Sequence, residues 1–453
     1  MAERLVVIGG DAAGLSAATN ARRSRTPEDI EIVVFERGDW ISFSACGEPY
    51  FVAGLVDPVE SLLALSEQEA ADRSIEIRKR TEVTSIDTNA RTVTVRDHLN
   101  AREEVVSYDY LMYATGASAR RIPLDGAHLR GVFHMHTLDD ALAARAAVED
   151  GVKRAVVIGG GYVGMEMAEA FHHRGIHTTV VAADEYILSG TIDPKFAERL
   201  MDEVRGLGID LILSEKVSCL GDDDGRVRSV GCDVDALPAD IVIVAAGTVP
   251  NVELARNAGL RIGESGGVWV DEHQRTSVPN VYAAGDCAES VHRLSGKPVN
   301  IHLGTYANRQ GRIAGLNIGG GDEAFPGVLG TAITKVMDIE ISRTGLTEFE
   351  ARDLGHELAV VEFDANTAAG YWPESRRMHM RVIADRETRR LLGAQIFGGR
   401  GAAKRIDAMA MAIWNDMTAD DLVNADLSYA PPFSGVWDPV LHAARLMQSE
   451  LDR

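Results

Sequence analysis

The chain has 453 residues, 45% of them apolar and 25% charged, proportions that are ordinary for a globular protein of two or three domains. Its net charge of −22 argues against the basic face that nucleic acids and anionic membranes require, so we expect neither as a partner. No apolar stretch approaches the roughly 18 residues that span a bilayer, and a strand by Leu5 leaves no room for a signal peptide, so we expect a cytosolic protein.

The first predicted unit is a buried strand, a glycine turn and a helix. Residues 4–14 read RLVVIGGDAAG, with the helix beginning near Gly14 and a second strand ending at Glu36. Backbone N–H groups at such a turn bind a pyrophosphate, and a carboxylate about 20 residues further on binds ribose hydroxyls. The unit therefore predicts a dinucleotide site. Asp11 occupies a fingerprint position where glycine is expected, and an acid there would repel the pyrophosphate unless its side chain turns away.

A lone cysteine, Cys46, follows this unit. No two of the four cysteines have the spacing of a redox dithiol or a zinc site, so we expect no metal. A single thiol cannot form an internal disulfide, so Cys46 would cycle through a mixed disulfide, a sulfenic acid or a persulfide. A helix start after Cys46 would lower its pKa, and Glu48 would raise it. Cys219, Cys232 and Cys287 are expected to be small buried apolar side chains.

A second glycine turn lies in residues 154–164, RAVVIGGGYVG, and the next strand is predicted over 178–181. Ala182 and Ala183 stand where a ribose-binding acid is expected, and no arginine there would bind a 2′-phosphate. The choice between NADH and NADPH stays open. Two dinucleotide sites are usually held together so that a hydride can pass from one to the other.

Further short strands end in small-residue turns at 111–116 and 241–247, and another ends at Asp286, which places a carboxylate at the ligand-binding edge of a sheet. After a glycine-rich linker at 319–322 the pattern changes to that of an α+β domain. The predicted fold class is α/β, with two Rossmann-like dinucleotide-binding domains followed by a C-terminal α+β domain.

Both glycine turns, together with Ala114-Thr115-Gly116, Gly247-Thr248-Val249-Pro250-Asn251 and Tyr282-Ala283-Ala284-Gly285-Asp286, resemble the pyridine nucleotide-disulfide oxidoreductases over almost the whole chain. The resemblance implies FAD in the first site and NADH or NADPH in the second. It implies an FAD-binding domain of residues 1–117 and 250–325, an NAD(P)-binding domain of 118–249, and a dimerisation domain of 326–453 that forms a homodimer.

The resemblance also implies roles for single residues: Asp286 on the ribityl chain, Tyr162 as the mobile aromatic over the flavin, and Glu166 near the flavin–nicotinamide stack. The residues expected to bind the cofactors are Gly9, Gly10, Ala13, Gly14, Glu36, Arg37, Ser44, Val83, Ala114, Thr115, Gly116, Gly159, Gly161, Tyr162, Val163, Gly164, Glu166, Gly247, Gly285, Asp286 and Thr305.

Within the family, residues 42–47, SFSACG, resemble the motif of coenzyme A-disulfide reductases and NADH oxidases or peroxidases. Phe51 stands where the dithiol branch has its second cysteine, and Ala12 stands where the peroxidases have a histidine. Tyr429 is similar to the tyrosine that reaches the partner's cysteine across the dimer, and Tyr371 resembles a second such aromatic. These three residues, Cys46, Tyr429 and Tyr371, are the expected catalytic set.

The expected activity is FAD-dependent reduction of a small-thiol disulfide by NAD(P)H through Cys46, with coenzyme A disulfide as the favoured substrate. The residues expected to bind the substrate are Arg22, Arg23, Ser42, Asn308, Arg309, Lys404 and Arg405. Three alternatives stay open: an NAD(P)H oxidase that reduces O2 through a cysteine sulfenic acid, a coenzyme A persulfide reductase, and a flavin-bound redox sensor that is not an enzyme.

Overall fold

The computed structural model describes residues 2–232 and 236–453. The strands are β1 (Glu3–Ile8), β2 (Ile30–Phe35), β3 (Ile75–Arg78), β4 (Thr81–Asp87), β5 (Thr92–Asp97), β6 (Arg102–Ser107), β7 (Tyr110–Tyr113), β8 (Ala117–Ala119), β9 (Val132–Phe133), β10 (Arg154–Ile158), β11 (His177–Val181), β12 (Asp210–Ile212), β13 (Val217–Asp223), β14 (Arg226–Cys232), β15 (Leu237–Pro238), β16 (Ile241–Val244), β17 (Thr248–Pro250), β18 (Val281–Ala283), β19 (Ser290–Val291), β20 (Pro298–Val299), β21 (Ala332–Val336), β22 (Ile339–Gly345), β23 (Leu358–Asn366), β24 (Arg377–Asp385) and β25 (Leu391–Gly398).

The α-helices are α1 (Ala12–Ser24), α2 (Glu48–Val52), α3 (Glu67–Asp72), α4 (Leu138–Glu149), α5 (Tyr162–His173), α6 (Pro194–Gly206), α7 (Glu253–Asn257), α8 (Gly304–Ile318), α9 (Glu348–Asp353), α10 (Ile406–Trp414), α11 (Ala419–Leu422) and α12 (Pro439–Leu451). Short 3-10 helices span Ala45–Gly47, Val59–Leu62 and Ala403–Arg405.

Two parallel sheets carry the predicted dinucleotide sites. The first has the strand order β18-β7-β1-β2-β3 and the second β12-β11-β10-β16-β9, and every neighbouring pair is parallel. Their central strands are buried on both faces, as parallel strands covered by helices must be. The predicted α/β class is thereby confirmed, and the strand–turn–helix units fall within about two residues of their expected bounds.

Helices α1 and α8 pack closely because α8 carries glycines on the contact face. A Cβ atom at Gly311 would lie 2.3 Å from the Ala13 carbonyl oxygen, and one at Gly315 would lie 2.3 Å from that of Ala17. The backbones can approach only without these side chains. This packing holds the N-terminus of α8 beside the first glycine turn.

The C-terminal domain is an antiparallel sheet in the order β21-β22-β25-β24-β23, against which α10 and α12 pack their apolar faces. The predicted α+β domain is confirmed. Among the described residues, no helix is both long and apolar enough to cross a membrane.

A buried ion-pair network joins this sheet to the loop that precedes α6. Arg381 on β24 lies 3.2 Å from Asp193 and 2.8 Å from Glu362, and it also pairs with Glu348. Asp193 further accepts a hydrogen bond of 2.6 Å from the Gln395 amide. Because Arg381 and Asp193 are both buried, loss of one partner would leave an uncompensated charge in the interior.

We therefore expect Arg381→Met to lower the free energy of unfolding by about 3–5 kcal/mol. The midpoint of thermal unfolding measures this loss. The matched control is Arg377→Met on the same strand, whose pair with Asp364 at 3.5 Å is solvent-exposed and should contribute less than about 1 kcal/mol. Equal shifts in the two variants would show that the buried network does not hold the domains together.

Candidate active site

One cavity of about 1580 Å³ connects the two glycine turns. It lies where the carboxyl ends of both parallel sheets meet, the edge at which open α/β sheets bind ligands. The predicted residues that line it are Ala13, Ser42, Ser44, Cys46, Ala114, Gly116, Gly161, Tyr162, Val163, Glu166, Gly247, Gly285, Asp286 and Asn308. The candidate nucleophile thus shares a cavity with both candidate cofactor sites.

The first glycine turn is held tightly by its own backbone. Gly9 has φ +105°, and a Cβ atom there would lie 2.2 Å from the Ala114 carbonyl oxygen. The Glu36 carboxylate accepts hydrogen bonds from the N–H groups of Gly10 at 2.8 Å and Gly38 at 2.7 Å. These N–H groups hold the Glu36 carboxyl group in a fixed position beside the turn, at the end of β2.

The second turn has the same geometry. Gly159 has φ +118°, and a Cβ atom there would lie 2.2 Å from the Ala245 carbonyl oxygen. A Cβ atom at Gly161 would meet nothing within 4 Å, so this position opens onto the cavity. The turn therefore has room for a phosphate at the N-terminus of α5.

Several predicted cofactor residues do not line the cavity. Val83 is buried in the hydrophobic core on β4, so its side chain cannot reach a ligand. The Thr115 hydroxyl donates to the Asn251 carbonyl at 2.8 Å, which joins two crossover segments. The other predicted cofactor-binding residues that do not line the cavity are Gly9, Gly10, Gly14, Glu36, Arg37, Gly159, Gly164 and Thr305.

Two acids that line the cavity, the half-buried Asp11 and the buried Glu48, have no ionic partner among the described residues. Oδ1 of Asp11 and Oε1 of Glu48 are buried without a hydrogen bond among the described residues. Burial, followed by the Glu36 charge, raises the pKa of Asp11 to about 7. Burial, followed by the charges of Asp140 and Asp11, raises the pKa of Glu48 to about 8. Burial likewise raises the pKa of Asp286 to about 6.

Cys46 lies in the 3-10 turn that precedes α2, and the residue is open to the cavity. The surrounding protein nevertheless desolvates the thiol, and this burial, together with the nearby carboxyls of Glu166 and Glu48, raises the pKa of Cys46. The expectation that a helix start would lower the thiol pKa is therefore wrong for this chain. The expected opposing effect of Glu48 is present.

We expect Glu48→Gln to lower the pKa of the Cys46 thiol, because an ionised Glu48 disfavours the thiolate. The rate of iodoacetamide alkylation at Cys46, followed by intact mass across the alkaline range, should rise a few-fold at about pH 8–9 in the variant. Both proteins carry Cys219→Ser, which removes the second thiol that is exposed among the described side chains. Glu67→Gln, an exposed change on α3, is the control. An unchanged titration would show that Glu48 does not act on the sulfur.

The other cysteines behave differently from one another. Cys287 is fully buried, and its S–H donates to the Ala284 carbonyl at 3.3 Å, which confirms the structural expectation. Cys219 is exposed on β13, so the expectation that it is buried is wrong. The Cys232 side chain lies outside the described part of the structure, so its expected burial stays a prediction.

Strand β21 of the C-terminal domain closes one side of the cavity. The Thr334 hydroxyl donates to Glu166 at 2.8 Å, and Lys335 pairs with Glu169 one turn further along α5. Burial raises the pKa of Glu166 and raises that of Tyr162 to about 12. Thr334 and Lys335 were not predicted, because no local motif marks residues that approach from a distant domain.

Tyr371 and Tyr429 lie together on the surface of the C-terminal domain. Both are exposed, and neither lines the cavity of the same chain. Partial burial and the Tyr371 hydroxyl raise the pKa of Tyr429. Their loops are joined by a hydrogen bond of 2.9 Å from the Ala369 N–H to the Pro431 carbonyl.

Arg405 supports these two loops from inside. Its guanidinium donates to the carbonyl oxygens of Thr367 at 2.8 Å and Phe433 at 2.6 Å, and it pairs with Asp438 at 3.1 Å. These contacts direct the Arg405 donors to the two loops, and its expected role in binding a substrate phosphate stays a prediction. Lys404 is exposed and pairs with Asp407 at 2.5 Å.

Arg22, which was expected to bind the substrate, also makes other contacts in the structure. Its guanidinium donates to the backbone carbonyls of Arg25, Ile30 and Ser74, away from the cavity. Arg309 lies over the rings of Tyr306 and Phe325 and does not line the site.

Arg23 takes part in a second, smaller cavity of about 280 Å³ that adjoins the first. Arg73, which the sequence did not mark, lines the same small cavity as Arg23, and Ser42 and Asn308 line both cavities. This smaller cavity, which we call the mouth of the site, is therefore lined by two arginines. Within residues 2–232 and 236–453, no group of three or more His, Cys, Asp or Glu side chains could hold a metal ion.

Two dinucleotide turns that open on one cysteine-bearing cavity define a nucleotide-dependent oxidoreductase. The family profile of the pyridine nucleotide-disulphide oxidoreductases matches residues 3–311, and that of their dimerisation domain matches residues 331–440. The chain belongs to this family, and it is an FAD- and NAD(P)H-dependent enzyme. Nothing in the comparisons favours a redox sensor without enzymatic activity.

The chain is 40% identical over 449 residues to the NAD(P)H coenzyme A polysulfide/persulfide reductase of Pyrococcus horikoshii, with 99% of each chain covered. It is 29% identical to a coenzyme A disulfide reductase of Staphylococcus epidermidis, with 95% of this chain and 96% of that one covered. A solved NAD-dependent persulfide reductase from A. fulgidus superposes with a TM-score of 0.95 at 36% identity, covering 99% of this chain and 84% of that one.

Proposed function

We propose that this enzyme uses NAD(P)H to reduce coenzyme A disulfide through Cys46. The observation that carries the proposal is that Cys46 lines the same cavity as both dinucleotide turns, beside a mouth that carries Arg23 and Arg73. FAD, when bound, supplies two-electron transfer between a nicotinamide and a sulfur atom. Glu36 and Asp286 would hold it at the first turn, and Tyr162 would cover it from the second.

Cys46 would act as the nucleophile. Its thiolate attacks one sulfur of the substrate disulfide, which releases one thiol and leaves the other in a mixed disulfide with Cys46. Because the pKa of Cys46 is raised, the thiolate fraction is small at neutral pH and increases as the pH rises. Two electrons from NAD(P)H would then cleave the mixed disulfide, which frees the second thiolate and regenerates the Cys46 thiolate, and Tyr429 of the partner subunit would protonate the departing thiolate.

The coenzyme A phosphates would lie at the mouth. Arg23 and Arg73 present guanidinium groups there, and arginine binds phosphate with two parallel hydrogen bonds. In a chain with net charge −22, such a local pair of cations favours a polyanionic ligand.

We expect the double change of Arg23 and Arg73 to Ala to raise KM for coenzyme A disulfide by about tenfold to a hundredfold, the loss of one or two phosphate contacts. KM for a small uncharged disulfide should hardly change. Lys404→Ala is the control, because its ammonium is exposed and paired with Asp407. An equal effect on both substrates would contradict a phosphate site at the mouth.

We further propose a homodimer built by residues 326–453, with FAD bound by residues 1–117 and 250–325 and NAD(P)H by 118–249. Tyr371, Tyr429, Phe433, Val436 and Trp437 are exposed together on the C-terminal domain, and such a patch supports a contact with a second subunit. This arrangement would bring Tyr429 to the cavity of the other subunit.

A second candidate is reduction of a coenzyme A persulfide, which the 40% identity to the Pyrococcus horikoshii enzyme favours. The same cysteine and the same phosphate-binding mouth would serve, and only the leaving group would differ.

Intact-mass measurement of the unreduced enzyme tests the proposal. We expect an adduct on Cys46 with the mass of coenzyme A, which NAD(P)H removes with release of coenzyme A. Extra sulfur on Cys46, with sulfide as the product, would favour the persulfide reductase instead. Oxygen on Cys46, together with NAD(P)H oxidation that needs O2, would establish the oxidase alternative.

A further inference from the structure

The two dinucleotide turns of this chain differ at one position. The N-cap residue, directly before each helix, is Asp11 in the first turn and Gly161 in the second. The turns are otherwise matched, since Gly9 and Gly159 both have positive φ and make the same close approach to a carbonyl oxygen. Asp11 therefore places a carboxyl group where the second turn leaves open space.

The Asp11 carboxyl does not cap its own helix. Its Oδ1 is buried without a hydrogen bond partner, while interactions of the carboxyl with the backbone N–H groups of Ala12 and Phe43 act against the rise in its pKa. The charged groups that act on it are acidic: Glu36 at the end of β2, Asp286 after β18, and Glu48 on α2. Two backbone N–H groups, those of Gly10 and Gly38, hold the Glu36 carboxyl in place beside the turn.

An ionised Asp11 would work against FAD. A pyrophosphate needs the free N–H groups at the start of α1, and a carboxylate there competes for these donors and repels the phosphate charge. A protonated carboxyl has an O–H group that donates to a phosphate oxygen. The same side chain thus opposes FAD in one protonation state and supports it in the other.

We propose that Asp11 binds FAD as a neutral carboxylic acid, so that FAD binding takes up one proton. The inference does not depend on which sulfur compound the enzyme reduces. The direction follows from linkage: the bound state holds one proton more than the free state, so affinity is lost as the pH rises. Because the pKa of Asp11 without FAD is about 7, the loss begins near neutrality.

FAD release from dilute holoenzyme, measured by ultrafiltration between about pH 6 and pH 9, tests the proposal. The FAD dissociation constant of the wild type should rise by up to about tenfold for each pH unit above about 7. Asp11→Asn and Asp11→Gly should give a flatter profile, in which only the titration of Glu48 and Asp286 remains. Asp72→Asn, an exposed change on α3, should keep the wild-type profile. A flat wild-type profile, or an equal slope in Asp11→Asn, would overturn the proposal.

Two further measurements keep the test independent of how well the Asp11 variants fold. FAD added to stripped wild-type protein in weak buffer at about pH 8 should take up nearly one proton, read with an indicator dye. Gly161→Asp, where the Cβ atom meets open space, should give NAD(P)H binding the same dependence on pH. Absence of proton uptake, or NAD(P)H affinity in Gly161→Asp that does not change with pH, would contradict the proposed role of the carboxyl.

Discussion

Cys46→Ser should lower the rate of coenzyme A disulfide reduction by more than about 10³-fold, because a serine hydroxyl cannot form a mixed disulfide and is far less acidic than a thiol. The rate at which NAD(P)H bleaches the flavin absorbance should be unchanged, since the second glycine turn and Tyr162 are untouched. Rapid mixing under anaerobic conditions separates the two half-reactions.

Cys219→Ser is the matched control for this experiment. Both cysteines are exposed, but only Cys46 lines the cavity between the glycine turns. The control should keep full activity in both half-reactions. Disulfide reduction that survives in Cys46→Ser but fails in Cys219→Ser would move the nucleophile to the other sulfur and remove the basis of the proposed function.

The part of the site that could be predicted from the sequence is the part that is local. In the first turn, Gly10 and Glu36 lie at the two ends of one βαβ unit, and the spacing of such a unit fixes their proximity. The same holds for Gly159 and Gly161 in the second turn. Cys46 could be placed because its motif directly follows the first unit.

The residues that could not be predicted depend on tertiary packing. Arg22 and Arg23 are neighbours in sequence, yet the turn of α1 directs the first to backbone carbonyls and the second to the cavity mouth. Arg73 reaches the same mouth from the end of α3, which no motif marks. Arg405 resembles a phosphate-binding residue in sequence, but the loops that carry the two tyrosines use its donors.

Sequence departures from the usual pattern were more informative than agreement with it. Asp11 stands where glycine is expected and Glu48 was expected to raise the thiol pKa; both line the cavity, and Oδ1 of Asp11 and Oε1 of Glu48 are buried without hydrogen bonds. Their mutual repulsion contributes to the raised pKa of Glu48. Only the structure reveals that two positions 37 residues apart in the chain form one acidic environment around the cofactor and the thiol.

Tyr429→Phe should slow the disulfide half-reaction by about 10²–10⁴-fold, the range for loss of a general acid, and leave flavin reduction by NAD(P)H unchanged. The Tyr429 hydroxyl is protonated throughout the neutral range and can donate its proton, although its raised pKa makes it a weaker acid than an ordinary tyrosine. Tyr371→Phe is the matched control, because its hydroxyl lies beside that of Tyr429 on the same surface, and its effect should be smaller.

Mixed dimers decide whether Tyr429 acts across the subunit contact. A dimer of one Cys46→Ser chain and one Tyr429→Phe chain contains one site with both groups intact if the tyrosine serves the opposite subunit, and none if it serves its own. We therefore expect the mixed dimer to recover about half of the wild-type activity per dimer, since one of its two sites is complete. Because the tyrosines are exposed and do not line the cavity of their own chain, this is the outcome that the geometry requires for a catalytic Tyr429. Mixed dimers no more active than Tyr429→Phe homodimers would show that Tyr429 does not donate its proton to the site of the other subunit.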